Sequence, residues 1–171
     1  MKKVILCIAL GILMITLPLN TYAKPKVHIL TEEELSMLYT CREEANVDTC
    51  LNINQTDAQL LMKLARSEAG DMGVDTQLLV MNVVMNRLKD EAFPDNIHDI
   101  IYANKQFSVV TNGNFDSVEI NVDSHLALAK LEMGEDISEG AIYFESSSAT
   151  DTWQSKYRTL LFEKYGQRFY K

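Results

Sequence analysis

The sequence predicts an α+β domain, and three observations carry that prediction. Apolar residues recur with helical spacing from Thr56 to Glu68, from Thr76 to Arg87 and again from Ser124 to Met133, with a loop rich in Asp and Gly between the first two. Short strand-like runs, Ala141 to Phe144, Leu160 to Phe162 and Arg168 to Tyr170, are confined to the last part of the chain. Gly166 stands where a turn would fold the last two runs into a hairpin. Helices first and a small antiparallel sheet last is the α+β order.

The N-terminus reads differently from the rest. Met1-Lys2-Lys3 is positively charged, and Val4 to Leu19 is apolar apart from single Gly, Thr and Pro residues. Thr21-Tyr22-Ala23 then places small residues at the third and first positions before a cut. That order is the pattern of a secretory signal peptide over residues 1–23. The apolar run, about sixteen residues, falls short of the roughly 20 that span a bilayer, which disfavours an uncleaved anchor. The expectation is a secreted, extracellular or cell-wall-associated protein with no stable membrane insertion after signal cleavage. Removing residues 1–23, which hold two lysines and no acids, takes the formal charge from −8 to −10. What remains suffices for one compact domain. A body this acidic lacks the electrostatic footprint of a nucleic-acid binder, and it has no polybasic grip for anionic lipid. Cys7 leaves with the signal, while Cys41 and Cys50 are an even pair in an exported chain. A disulfide and two free thiols are both open for them.

Residues 24–52 form a tether and a short helix. Lys24 to Leu30 is polar, Thr31 and Glu34 have capping-box spacing, and the helix runs to about Glu44. Asn52 to Gln55 is a loop that marks the start of the main unit, residues 53–171. Thr56 with Gln59 is a second capping box, opening a helix whose face is marked by Leu60, Leu61, Leu64 and Ala65. Three or four residues further that face reaches Glu68, and Gly70 stops the helix. Thr76 to Arg87 is apolar nearly all round, so it predicts a buried helix, with Asn82 and Asn86 on one side. Phe93-Pro94-Asp95 breaks the chain, Ile97 to Tyr102 is a short helix, and Asn104 to Asp116 reads as loop. Ser124 to Met133 is amphipathic and ends at Gly134. Asp75 and Asp123 suit the N-caps of the Thr76 and Ser124 helices.

Glu68 is the residue with the clearest chemical promise. It lies on an apolar helix face, and it sits in the last turn, where the negative end of the helix dipole is. Both surroundings disfavour the carboxylate and push the carboxyl pKa upward. Glycosidases use such an acid to protonate a leaving glycosidic oxygen. The plain alternative is a glutamate paired with Arg66, Arg87 or a lysine, or one that reaches solvent.

Four blocks in order turn that balance. They are Glu68-Ala69-Gly70-Asp71 with Val80-Met81-Asn82-Val83-Val84-Met85-Asn86-Arg87, then Phe93-Pro94-Asp95-Asn96-Ile97 through Ile101-Tyr102 to Gln106-Phe107-Ser108 and Asn112-Gly113, then Ala141-Ile142-Tyr143-Phe144, and finally Gly166-Gln167-Arg168-Phe169. From about Asp57 onward the chain resembles the cell-wall hydrolases typified by spore cortex-lytic enzymes of the SleB and CwlJ type. The resemblance implies a lysozyme-like or lytic-transglycosylase-like helical core with a small C-terminal antiparallel sheet. It implies peptidoglycan glycan strands as substrate, cut at the β-1,4 bond between N-acetylmuramic acid and N-acetylglucosamine. It places the family's catalytic glutamate on Glu68, and it implies no metal or organic cofactor. Many members carry a further acid four residues on, where this chain has Met72, with Asp71 one position earlier.

A two-carboxylate hydrolase would need a second acid, for which Asp71, Asp75, Asp116, Asp123 and Glu145 are candidates by position only. Lytic transglycosylation, the route the resemblance favours, needs Glu68 alone. Gln106 and Ser108 are read as hydrogen-bonding sugar groups, with Phe107 as a wall, or else as turn formers beside a core phenylalanine. Tyr143 could face the cleft or pack in the core, and Asn86 is read as supporting the site. Trp153, in a polar stretch, is a candidate sugar platform. A cysteine peptidase built on Cys41 or Cys50 with His98 or His125, a zinc amidase, and a wall-binding module without activity are the readings from other classes. Protein partners are unknown.

Overall fold

The computed structural model describes residues 51, 53–103, 106–111, 113 and 115–171. The expected signal peptide, the Thr31–Glu44 helix, Cys41, Cys50 and Asn112 lie outside the described residues. The helices are α1 (Gln55–Ala69), α2 (Val74–Leu88), α3 (Ile97–Tyr102), α4 (Ser108–Thr111) and α5 (Val122–Glu132), with a 3-10 turn at Phe115–Ser117. Strand β1 (Tyr143–Ser146) follows, then the short helix α6 (Trp153–Tyr157) and the strands β2 (Leu160–Lys164) and β3 (Gln167–Tyr170).

The core forms where the apolar faces predicted them to meet. Leu61, Leu64 and Ala65 of α1 are fully buried, and α1, α2 and α5 pack against one another with α3 across α1 and α2. Helix α2 is buried on nearly every side, from Leu78 through Val84. The sheet has the order β1-β3-β2 and is antiparallel throughout. It docks on the far side of α2, where Phe169 of the central strand packs with Leu79, Val83 and Ala141. Lys164 pairs with Gln167, so Tyr165 and Gly166 form a two-residue hairpin turn with φ of 52° and 71°. Both central residues of such a turn need positive φ, which Gly166 accepts freely and Tyr165 does not. The Tyr165 hydroxyl donates to Asp75 Oδ2 at 3.1 Å, anchoring that strained position to the start of α2.

Several boundaries differ from the sequence expectation for identifiable reasons. Asn54, not Thr56, caps α1: its Oδ1 accepts from the Asp57 amide at 3.0 Å, and the helix begins two residues early. Asn121 likewise displaces Asp123 at α5, accepting from the Ser124 amide at 2.9 Å. Asp75 does not cap α2, whose N-cap is Gly73; it lies inside the first turn and pairs with Lys130 at 3.1 Å. The Asn104–Asp116 loop contains α4 and the start of the 3-10 turn. Strand β1 begins at Tyr143 rather than Ala141, and Trp153 opens a helix.

The 135–142 segment, which leads from α5 into β1, is bound to α2 through side chains on one stripe. Asn82 donates to the Glu135 carbonyl (3.0 Å) and accepts from the Ile137 amide (3.1 Å). Asn86 donates to Ser138 Oγ (2.7 Å) and to the Ala141 carbonyl (3.0 Å). Arg87 Nε donates to the Ile142 carbonyl at 2.7 Å.

The two competing caps of α1 are separable by mutation. Asn54→Ala is expected to lower the unfolding free energy by about 1 kcal/mol, the usual worth of an N-cap. Thr56→Ala, at an exposed helix position, should stay within about 0.5 kcal/mol of the parent. Urea unfolding midpoints compare them directly.

Candidate active site

Helix α1, the α3–α4 region, β1 and the β2–β3 turn converge on a cleft of about 730 Å³. Its lining includes Glu68, Met72, Arg87, Gln106, Phe107, Tyr143 and Trp153. Volumes of this order suit ligands of a few rings. Glu68 occupies the penultimate position of α1, and Gly70 follows in a positive-φ conformation (56°) that ends the helix. The fully buried Gln77 fixes this corner. Its amide donates to the Gly70 carbonyl (3.2 Å) and to Asn121 Oδ1 (3.3 Å), and its Oε1 accepts from Ser124 Oγ (2.6 Å). The end of α1 is thereby tied to the start of α5.

The electrostatics of Glu68 follow from this placement. Burial raises its carboxyl above the ordinary 4.5, and the Arg87 charge opposes that rise without cancelling it. Arg66, an alternative partner from the sequence, is occupied elsewhere, pairing with Asp71 at 2.8 Å. Arg87 is buried under three rings. Its guanidinium carbon lies 5.2 Å from the Phe93 centroid, 5.1 Å from Phe107 and 5.6 Å from Tyr143. Burial draws its pKa down to about 10, with Tyr143 and Glu68 acting in the other direction. The site therefore holds a buried cation near a carboxyl whose pKa burial has raised.

Glu68, Gln106, Phe107 and Tyr143 share this cleft, and Trp153, the candidate sugar platform, lines it as well. Phe107 serves as both wall and core, being only 3 % exposed. Ser108 opens α4, and its side chain lies outside the described part of the structure. Asn86 does not reach the cleft lining; it grips the chain just before Tyr143. Of the candidate second acids, Asp71 and Asp75 are engaged with Arg66 and Lys130, and Asp116 and Asp123 are not among the cleft-lining residues. Glu145 contributes to the lining, but its side chain is 7 % exposed. Its Oε1 accepts from the Tyr170 hydroxyl at 2.6 Å and pairs with Arg168 at 3.2 Å. His98 stacks on Tyr102 and bonds Asp99, and neither it nor His125 lines the cleft. Among the described residues no cluster of three His, Cys, Asp or Glu side chains could hold a metal ion, and no helix is long and apolar enough to cross a membrane.

Sequence reasoning named Arg87 only as a candidate ion-pair partner of Glu68 and gave it no place among the site residues. Its signal was available: it is the single cation on a helix otherwise apolar apart from Asp75, Thr76 and side-chain amides. The contributions of Tyr165, Gly166 and Gln167 had none, because they depend on how the hairpin docks.

The family model for cell wall hydrolases matches residues 72–170, more than half of the chain. The chain belongs to the cell wall hydrolase family. The match opens at Met72, four residues past Glu68. The chain is 30 % identical over 116 residues to a spore cortex-lytic enzyme of Halalkalibacterium halodurans, covering 65 % of this chain and 35 % of that protein. It is 28 % identical over 101 residues to the spore cortex-lytic enzyme of Bacillus subtilis, covering 58 % and 33 %. The matched part thus spans about a third of the length of these relatives. Its fold is similar to the catalytic domain of Bacillus cereus SleB, with a TM-score of 0.64 at 20 % identity over 75 % of this chain and 99 % of that one. The catalytic domain of the germination-specific lytic transglycosylase SleB from Bacillus anthracis gives 0.63 at 20 %, over 70 % and 98 %. Both the family and the α+β fold expected from the sequence are borne out.

A raised carboxyl pKa has a thermodynamic sign. The folded state binds the Glu68 proton more tightly than the unfolded chain, so Glu68 lowers stability progressively as pH rises from about 4.5 through its folded pKa. Glu68→Gln is therefore expected to be more stable than the parent at neutral pH. The gain should shrink to nothing in acid below the ordinary carboxyl range. Urea titrations at several pH values measure it, and a pH-independent difference would contradict the assignment.

Proposed function

We propose that this cell wall hydrolase is an exported enzyme that cleaves peptidoglycan glycan strands by lytic transglycosylation, with Glu68 as the acid and then the base. The observation that carries this reading is a half-buried carboxyl of raised pKa in a cleft whose other lining carboxyl among the described residues, Glu145, is only 7 % exposed and is held by Arg168 and Tyr170. The reaction runs at the β-1,4 bond between N-acetylmuramic acid and N-acetylglucosamine. Protonated Glu68 gives its proton to the glycosidic oxygen as the bond to C1 of muramic acid breaks. The resulting carboxylate takes the proton from the C6 hydroxyl of the same sugar, whose oxygen closes on C1. The products are a 1,6-anhydromuramic end and a free N-acetylglucosamine hydroxyl, and Glu68 is again protonated.

Arg87 stabilises the carboxylate form between the two transfers, when Glu68 is briefly anionic. Gln106 lies at the exposed side of the cleft, where its amide can bond acetamide or hydroxyl groups. Phe107 and Tyr143 form apolar wall. Asn86 supports the site through the backbone that carries Tyr143. Residues 1–23 are proposed as the cleaved export signal, 24–52 as a tether and 53–171 as the catalytic unit, acting outside the cell at the wall.

Digestion of purified peptidoglycan by the protein and its Glu68→Gln variant, followed by mass spectrometry of soluble fragments, tests this. Fragments ending in 1,6-anhydromuramic acid are expected, and the variant should be slower by at least about a hundredfold, the usual contribution of a general acid. Activity should fall as pH rises through the raised Glu68 pKa, because the first step needs the protonated acid. Reducing muramic ends would make the enzyme a hydrolase with Glu145 as the carboxylate to examine. An undiminished variant would remove Glu68 from the chemistry.

A further inference from the structure

At the rim of the cleft, the side of α6 next to β1 presents aromatic surface that the core does not use. Trp153 is 49 % exposed and Tyr157 67 % exposed. Their rings lie 5.9 Å apart, and Trp153 meets the Tyr143 ring edge-on at 5.7 Å. Arg158 stands between Tyr143 and Trp153, its guanidinium carbon 4.6 Å from each centroid, and its Nη2 donates to the Tyr143 hydroxyl at 3.1 Å. The Thr152 side chain caps α6, accepting from the Ser155 amide at 3.1 Å, and Lys156 pairs with Asp151 at 2.8 Å. These contacts hold an exposed tryptophan in one orientation, and an exposed aromatic fixed by a neighbouring cation loses little freedom on binding.

We propose that Trp153, backed by Tyr157 and oriented by Arg158, is a second sugar-binding platform that carries the glycan strand beyond the cleaved bond. This rests on the glycan-cleaving reading above. The occupant is fixed by continuity, because Trp153 and Gln154 line the cleft that holds Glu68. A strand leaving that cleft past Tyr143 crosses the indole. Chemistry agrees: a β-1,4-linked N-acetylhexosamine carries its substituents around the ring, so its faces are C–H surfaces that pack on aromatic rings. Arg158 is a positioning residue, since its bond to the Tyr143 hydroxyl and its contact with the indole set the angle of the platform.

The chain has one tryptophan, so its emission reports on this platform without a label. Peptidoglycan glycan strands of increasing length, titrated into the Glu68→Gln protein, should change that emission saturably, with half-saturation at lower concentration for longer strands. In the active protein, Trp153→Ala should reduce the ratio of kcat/KM on long strands to that on short ones by about tenfold, and Trp153→Phe should restore much of it. Arg158→Ala should reduce the same ratio less. Strands that are cleaved while emission stays constant and the Trp153→Ala ratio equals the parent's would overturn the platform and leave the Glu68 reading intact. An emission change without cleavage in the parent would support the platform and remove the enzymatic reading. Neither signal would overturn both.

Discussion

The structure depends on one constraint: a helix buried on nearly all sides must still satisfy the polar side chains it carries. Helix α2 does this for Asn82, Asn86 and the Nε of Arg87 by turning them onto the backbone of residues 135–142, while Arg87 Nη1 stays buried without a hydrogen-bond partner. Buried amides left without partners would each cost on the order of 1–3 kcal/mol, so the position of that segment is strongly specified. Because 135–142 runs directly into β1, the same bonds decide where the sheet docks and which way Tyr143 faces. Glu68 comes from the other side, at the end of a helix whose corner Gln77 pins to α5. The cleft is the gap between two bodies that α2 holds at a fixed spacing.

That arrangement also shapes the charge balance. Arg87 belongs to both the scaffold and the site, bonding Ile142 through Nε while its charge reaches Glu68. A cation in this place moderates the carboxyl instead of capturing it. Full ion pairing would instead hold Glu68 as a carboxylate. Burial under Phe93, Phe107 and Tyr143 keeps the guanidinium in one place and away from solvent screening.

Much of this was legible in the sequence where the signal is local and periodic. The α1 face at Leu61, Leu64 and Ala65, the all-round burial of α2, the shared side of Asn82 and Asn86 and the turn at Gly166 follow from spacing. The caps were misplaced by two residues at both α1 and α5, and for one reason. Asn54 and Thr56, like Asn121 and Asp123, are both competent caps, and the choice depends on the direction from which the chain enters the helix. Helix α6 escaped notice because five residues are too few to show a period. In the site, Glu68 was visible from its odd position on its own helix. The roles of Gln77 and Arg87 were not, since the partners Asn121 and Ser124 of Gln77 and Ile142 of Arg87 lie 44 to 55 residues away.

The strand order has a consequence for how the molecule comes together. The middle strand of the sheet, β3, is the last element in chain order, and it alone pairs with both β1 and β2. A chain delivered N-terminus first can assemble α1, α2 and α5, whose contacts are comparatively near in sequence. It cannot cover Leu79 and Val83 until Phe169 arrives. Until then β1 offers an unpaired edge, the kind of surface that sticks to other chains. The vulnerable interval in the assembly of this domain is therefore the wait for β3.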